Sequence, residues 1–210
     1  NAFDSNVRIT RGEPIEDPNH LVIPEGTTEI TQDMVPNREI TSVTIPNSVT
    51  TIGRNAFKDT LLTSVTIPNS VTTIDEDAFT NVPLTNVNIS DSVTTIGNYA
   101  FYKTQLTSVT IPNSVTTIGN LAFTDTPLTN VIIPNSVTII GNFAFSDTQL
   151  TNVTIPNSLT SINDNAFDSN VRITRGEPIE DPNHLVIPEG TTEITQDMVP
   201  NREITSVTIP

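Results

Sequence analysis

The stretch LTSVTIPNSVTTIGNLAFTDTP, Leu106 to Pro127, decides the fold, because the chain on both sides of it is the same sentence rewritten. An Ala-Phe pair ends at Phe57, Phe79, Phe101, Phe123, Phe145 and Phe167, always 22 residues apart. The same interval separates Val43, Val65, Val87, Val109, Val131 and Val153, and the series Ile45, Ile67, Ile89, Ile111, Ile133 and Ile155. A fixed period of this length is the signature of a solenoid, in which each repeat is one turn of a coil.

Within the unit, Ser108-Val109-Thr110-Ile111 alternates polar and apolar residues, is rich in β-branched side chains and stops at Pro112, which predicts a short half-buried strand. The second half places Val115, Ile118, Ala122 and Phe123 at spacings of three and four, but its Thr pairs, Gly119 and Pro127 oppose a long helix. Short strand, 3₁₀ or irregular pieces are expected there. One unit has too few apolar side chains to fold alone, so neighbouring coils must bury each other's faces and pair strand to strand, about 4.8 Å apart. The Phe column then becomes an internal spine.

The opening Leu106-x-x-Val109-x-Ile111 resembles the strand of leucine-rich repeats, and the IPxSVTxIGxxAF pattern resembles the BspA-like class of that superfamily, known from surface proteins and adhesins. The resemblance covers nearly the whole chain. It implies a right-handed leucine-rich-repeat-like coil with one short parallel β-strand per 22-residue turn and an irregular or 3₁₀ opposite side. One departure is visible: where the family carries Asn or Cys as a hydrogen-bonding ladder, this chain has Ser48, Ser70, Ser92, Ser114, Ser136 and Ser158.

Residues 1–210 are expected to form a single continuous solenoid without caps. Between Ile155 and Ile187 the spacing is 32 instead of 22, so ten extra residues enter within VRITRGEPIEDPNHLVIP. Pro178, Pro182, Gly176 and the acids around them predict an inserted surface loop at about 172–184, repeated at about 8–20. The unit after it replaces Ala-Phe by Met198-Val199. Residues 1–46 are identical to 165–210, a second-order period of 164 residues. The chain opens inside a unit and stops on a strand, so an array continuing in both directions is expected. Seven levels at ~4.8 Å would repeat about every 34 Å along its axis.

Composition removes several classes of function. With 24 acids against 9 bases the net charge is -15, which disfavours nucleic acid and anionic membrane as partners. Without Cys there is no disulfide, zinc-thiolate or cysteine nucleophile. The apolar runs are far shorter than the roughly 20 residues of a transmembrane helix. There is no nucleophile elbow, phosphate-binding glycine loop or metal-ligand spacing, so no enzyme and no cofactor are expected.

Three groups of residues invite a functional reading. Glu180, Asp181 and His184, with their copies Glu16, Asp17 and His20, are weak metal candidates, against which stands a solvated turn bonded to its own backbone. Asp75, Glu76 and Asp77 form the tightest acidic cluster and are read as a solvated corner. The outward face of the strands carries Ser64 and Thr66, Asn86 and Asn88, Ser108 and Thr110, Asn130 beside Ile132, and Asn152 and Thr154, with Ser42 and Thr44 before them. This uncharged stripe, with Glu177, Glu180 and Asp181 of the inserted loop, is the candidate interaction surface. Tyr99, Tyr102 and Phe143 fall outside the Phe column and look too sparse for a binding stripe. The expected role is a structural segment of a long extracellular fibre or surface stalk that contacts itself. The alternative is an adhesin binding a host or cell-surface protein.

Overall fold

The computed structural model describes residues 17–163 and 165–176, with the strand backbones His184–Val186 and Ser206–Thr208. In chain order the first elements are β1 (His20–Val22), β2 (Glu29–Ile30), a 3₁₀ turn (Gln32–Met34), β3 (Ser42–Thr44) and β4 (Thr51–Ile52). They continue with β5 (Ser64–Thr66), β6 (Thr73–Ile74), β7 (Asn86–Asn88), β8 (Thr95–Ile96), β9 (Ser108–Thr110) and β10 (Thr117–Ile118). The last are β11 (Asn130–Ile132), β12 (Ile139–Ile140), β13 (Asn152–Ile155), β14 (Ser161–Ile162), β15 (Arg172–Arg175), β16 (His184–Val186) and β17 (Ser206–Thr208). The protein is a parallel β-solenoid of about seven turns with almost no helix. Each turn carries the expected strand, and its second half adds a two-residue strand.

These second strands, β2 to β14 in even numbers, build one seven-stranded parallel sheet. Its register advances by 22 residues, as in Thr51↔Thr73 and Ile74↔Ile96. Ile30, Ile52, Ile74, Ile96, Ile118 and Ile140 turn inward from it and are fully buried. Beside it the Thr hydroxyls form a ladder along the axis. Thr50 donates to the Thr28 carbonyl at 3.1 Å, and Thr72, Thr94, Thr116, Thr138 and Thr160 each donate to the Thr one coil earlier. The Ser column is uneven: Ser114 reaches the Val93 carbonyl at 2.6 Å, whereas the Ser70 and Ser136 hydroxyls are buried without a partner.

The Phe spine is present as expected. Phe57, Phe79, Phe101, Phe123, Phe145 and Phe167 stack with centroids 5.0 to 5.4 Å apart and planes within 12° of parallel. The backbone around them is bonded along the axis. The N–H groups of Asn55, Phe57 and Asp59 donate to the carbonyls of Glu76, Ala78 and Thr80, and the pattern recurs in the following coils. This alignment requires left-handed backbone at two residues per coil, for example Asn55 (φ 56°) and Asp59 (φ 59°). It also draws the coils close together at Gly119, where a Cβ would lie 2.5 Å from the Asn98 nitrogen. At the start of the column no earlier coil of this kind supplies donors. The half-buried Arg38 fills the gap, its guanidinium donating to the carbonyls of Ala56 and Lys58 at 3.3 and 2.9 Å.

The longer strands, of three or four residues, pair two by two: β1 with β3, β5 with β7, β9 with β11, and β13 with β15. The residue just before each coil's opening Leu or Ile accounts for the alternation in the regular coils. Pro83 and Pro127 have no N–H, and there Thr85 and Thr129 donate to Thr63 and Thr107 as a ladder forms. Where that residue is Leu61, Gln105 or Gln149, its N–H donates to Ile40, Leu84 or Leu128 instead, and the flanking strands stay unladdered. The structural period is therefore 44 residues, two coils.

The inserted segment differs from the expected loop. Arg172–Arg175, placed within the loop at about 172–184, is a strand that extends the stack, with Asn152↔Arg172 and Val153↔Ile173 in register. The chain stays in the coil because Val171 remains buried and turns through its N–H to the Asp168 carbonyl. At the other edge His20, counted in the loop at about 8–20, begins β1 with His20↔Ser42, and His184↔Ser206 repeats that register. Residues 8–16 and 177–183 lie outside the described residues.

Candidate functional site

Strand alternation sends Val65, Val109, Val131 and Val153 inward and leaves their neighbours outside. Ser64, Thr66, Asn86, Asn88, Ser108, Thr110, Asn130 and Asn152 are exposed, and Thr154 and Ile132 half-buried. The structure thus brings the predicted stripe together on one face, in two columns of hydroxyls and amides. The face is scored by shallow grooves. One of about 550 Å3 is lined by Asn86, Asn88, Ser90 and Asp91 with Thr110 and Pro112, and lies across the unladdered gap between β7 and β9. Another of about 500 Å3 crosses the gap between β3 and β5, along Thr44, Asn47, Thr66 and Asn69. The first holds a departure from the repeat: Asn88-Ile89-Ser90-Asp91 stands where the coils at 44–47, 66–69, 110–113 and 154–157 read Thr-Ile-Pro-Asn.

Of the metal candidates, Glu180 and Asp181 lie outside the described residues, as does Glu177 of the interaction surface, and only the backbone of His184 is described. Their first copies show what the chemistry does in part. Asp17 accepts the backbone N–H of Asn19, a turn bond, while the His20 ring spans the Ser42 and Thr44 hydroxyls at 2.7 and 3.0 Å. The imidazole is thereby part of the strand face. Among the described residues no group of three His, Asp or Glu side chains is arranged for a metal.

The acidic triplet is engaged in coil-to-coil pairing. Glu76 meets Arg54 at 3.0 Å, Asp77 meets Lys58 at 3.2 Å, and Asp75 accepts the N–H of Glu76. An exposed pair such as Arg54–Glu76 contributes little stability, and the triplet's contacts are with neighbouring cations and backbone.

A second surface was only half visible in the sequence. The residue before Ala-Phe is Asn55, Asp77, Tyr99, Leu121, Phe143 and Asn165 in successive coils, so Tyr99, Leu121 and Phe143 form a column that includes a residue not singled out before. All three have left-handed backbone, with φ of 57°, 54° and 57°. Asn and Asp tolerate that geometry, whereas for other residues it costs ~1–2 kcal/mol each. Phe143 is 43% exposed, and Tyr99 lies edge-on to Tyr102. The 22-residue register was the available signal; the backbone sign was not.

Three solved structures are similar to this chain. A leucine-rich repeat protein from Bacteroides ovatus is 24% identical, with a TM-score of 0.44, over 90% of this chain and 60% of its own. The pneumococcal vaccine antigen PcpA is 17% identical, with a TM-score of 0.51, over 79% of this chain and 42% of its own. A leucine-rich cell surface protein from Faecalibacterium prausnitzii is 24% identical, with a TM-score of 0.39, over 75% of this chain and 59% of its own. The chain thus spans roughly half the length of these proteins, and no curated protein matches it. The model of the BspA-type leucine-rich repeat region matches six copies over residues 16–61, 50–174 and 94–210, the same coils that stack on the Phe spine: the chain belongs to the BspA-type leucine-rich repeat family.

Proposed function

We propose that this chain is a structural segment of an extracellular or cell-surface fibre or stalk, in which solenoid periods follow one another and contact their neighbours laterally. The observation that carries the reading is the uniform coil-to-coil bonding along the Phe spine, on a chain whose residues 1–46 and 165–210 are identical. A strand face of near-constant chemistry suits length better than discrimination, since selective contacts need chemistry that changes along the surface. The acidic surface opposes lateral clumping. Surface location agrees with what the Faecalibacterium relative is called.

An adhesin that binds a host or cell-surface protein is the second reading. It is favoured by the groove at Asn86, Asn88, Ser90 and Asp91, where the strand face departs from its own pattern. Negative-stain electron microscopy of native material, with an SDS gel after heating, separates the two. Fibres with an axial repeat of about 34 Å for seven strand levels, or about 38 Å if β15 adds an eighth, support the structural role. On the gel, a very large species means a covalent array, and a short subunit means end-to-end assembly. Isolated short particles in every field would put the adhesin first.

A further inference from the structure

We propose that the corner ridge of Tyr99, Leu121 and Phe143, with Tyr102 at its side, docks a basic amphipathic segment of another protein. The inference is independent of the fibre reading. It starts from a choice the fold did not need: Asn or Asp satisfies the same left-handed backbone in the coils at Asn55 and Asp77, yet three consecutive coils carry large apolar side chains there. These side chains are outside the core, since Phe143 is exposed and Tyr99 and Leu121 are half-buried. Strained backbone that persists without a folding benefit is characteristic of functional positions.

The chemistry of the occupant follows from what surrounds the ridge. Four residues further along the same corner, Asp125 and Asp147 are exposed and line a depression of about 250 Å3 with Gln105, Pro127 and Gln149. The Tyr102 ring faces an ammonium group, the Lys103 Nζ at 5.2 Å from its centroid, so this corner already pairs aromatic surface with a cation. Lys103 also reaches Asp125 at 3.8 Å. A partner lysine or arginine in the depression would meet the Asp125 and Asp147 carboxylates, while its apolar residues cover the ridge. A second copy of this chain, with its own charge of -15, is the less complementary occupant.

The test uses the 210-residue protein and two labelled peptides of equal length and charge, one alternating Lys with Leu and the other Lys with Ser, followed by fluorescence anisotropy at physiological salt. The Lys-Leu peptide should bind more tightly. The triple variant Tyr99→Asn, Leu121→Asn, Phe143→Asn should bind it about tenfold more weakly or worse, in keeping with aromatic anchors at interfaces. Because Asn relieves the backbone, that variant should melt at an equal or higher temperature. Asp125→Asn with Asp147→Asn should weaken the same complex. Equal binding of both peptides, unchanged binding by the triple variant, or a fall in its melting temperature alongside lost binding would overturn the proposal. So would sedimentation showing wild-type self-association that the triple variant abolishes, since the ridge would then belong to a second copy.

Discussion

The strand face and the Ala-Phe corner belong to the same coils and obey opposite rules. On the strand face Ser, Thr and Asn recur with little change, and Asn88 to Asp91 is the main exception. At the corner the residue before Ala runs from Asn and Asp to Tyr, Leu and Phe, and back to Asn. The physical constraint falls the other way. The strand positions are ordinary extended backbone that any side chain adopts, whereas the corner positions Asn55, Asp77, Tyr99, Leu121 and Phe143 have positive φ and favour few residues. Variation is therefore found where it is costly, and uniformity where variation would be free. In this protein chemical individuality is concentrated at the corner.

Substitutions can break or sharpen that contrast. The largest effect is expected in what both surfaces share, the spine: Phe101→Ala removes a fully buried ring stacked on both sides and should cost about 3–5 kcal/mol, visible as a large drop in the denaturant midpoint. Next comes Arg38→Met, which keeps much of the apolar stem but leaves the carbonyls of Ala56 and Lys58 without their charged donor. A loss of about 1–3 kcal/mol is expected, with amide exchange accelerating first in the coil at 53–60.

Leu121→Asn acts in the opposite direction. It should stabilise by up to about 1 kcal/mol through relief of the left-handed residue, read as a rise in melting temperature; a loss instead would mean that side-chain packing along the corner outweighs backbone strain. The smallest effect is expected from Pro83→Gln. Restoring an N–H there should weaken the ladder between β5 and β7, and amide exchange at Thr85 should quicken while global stability moves by less than about 1 kcal/mol. Unchanged protection at Thr85 would show that proline does not set the two-coil alternation.

Much of the fold was legible because its information is periodic. Phe, Val and Ile at 22-residue intervals announce the coil, its inward face and its stacking, and each of these depends only on which side chains avoid water. The outward position of Ser64, Asn86 and Ser108 follows from the same alternation. The Thr ladder was not legible, because Thr50 and Ser48 are both short hydroxyl residues near one bend. Which of them meets a carbonyl of the preceding coil depends on backbone direction, and pattern does not reveal that. The start of the inserted segment read as a loop through its Pro, Gly and acidic composition, yet Arg172–Arg175 pairs with β13, since a neighbouring open strand supplies the bonds that local propensity does not.

The amino-acid sequence by itself determined the repeat, the parallel solenoid, the buried spine and the neutral stripe, because each follows from spacing and solubility along a single coil. Only the tertiary structure decided the two-coil alternation, the capping of Ala56 and Lys58 by Arg38, the pairing of Asp77 with Lys58, and the surfacing of Tyr99, Leu121 and Phe143 on strained backbone. These depend on where N–H and C=O groups of one coil point toward the next. That direction is set by backbone dihedrals and by the distance between coils, and it exists only once the coils are stacked.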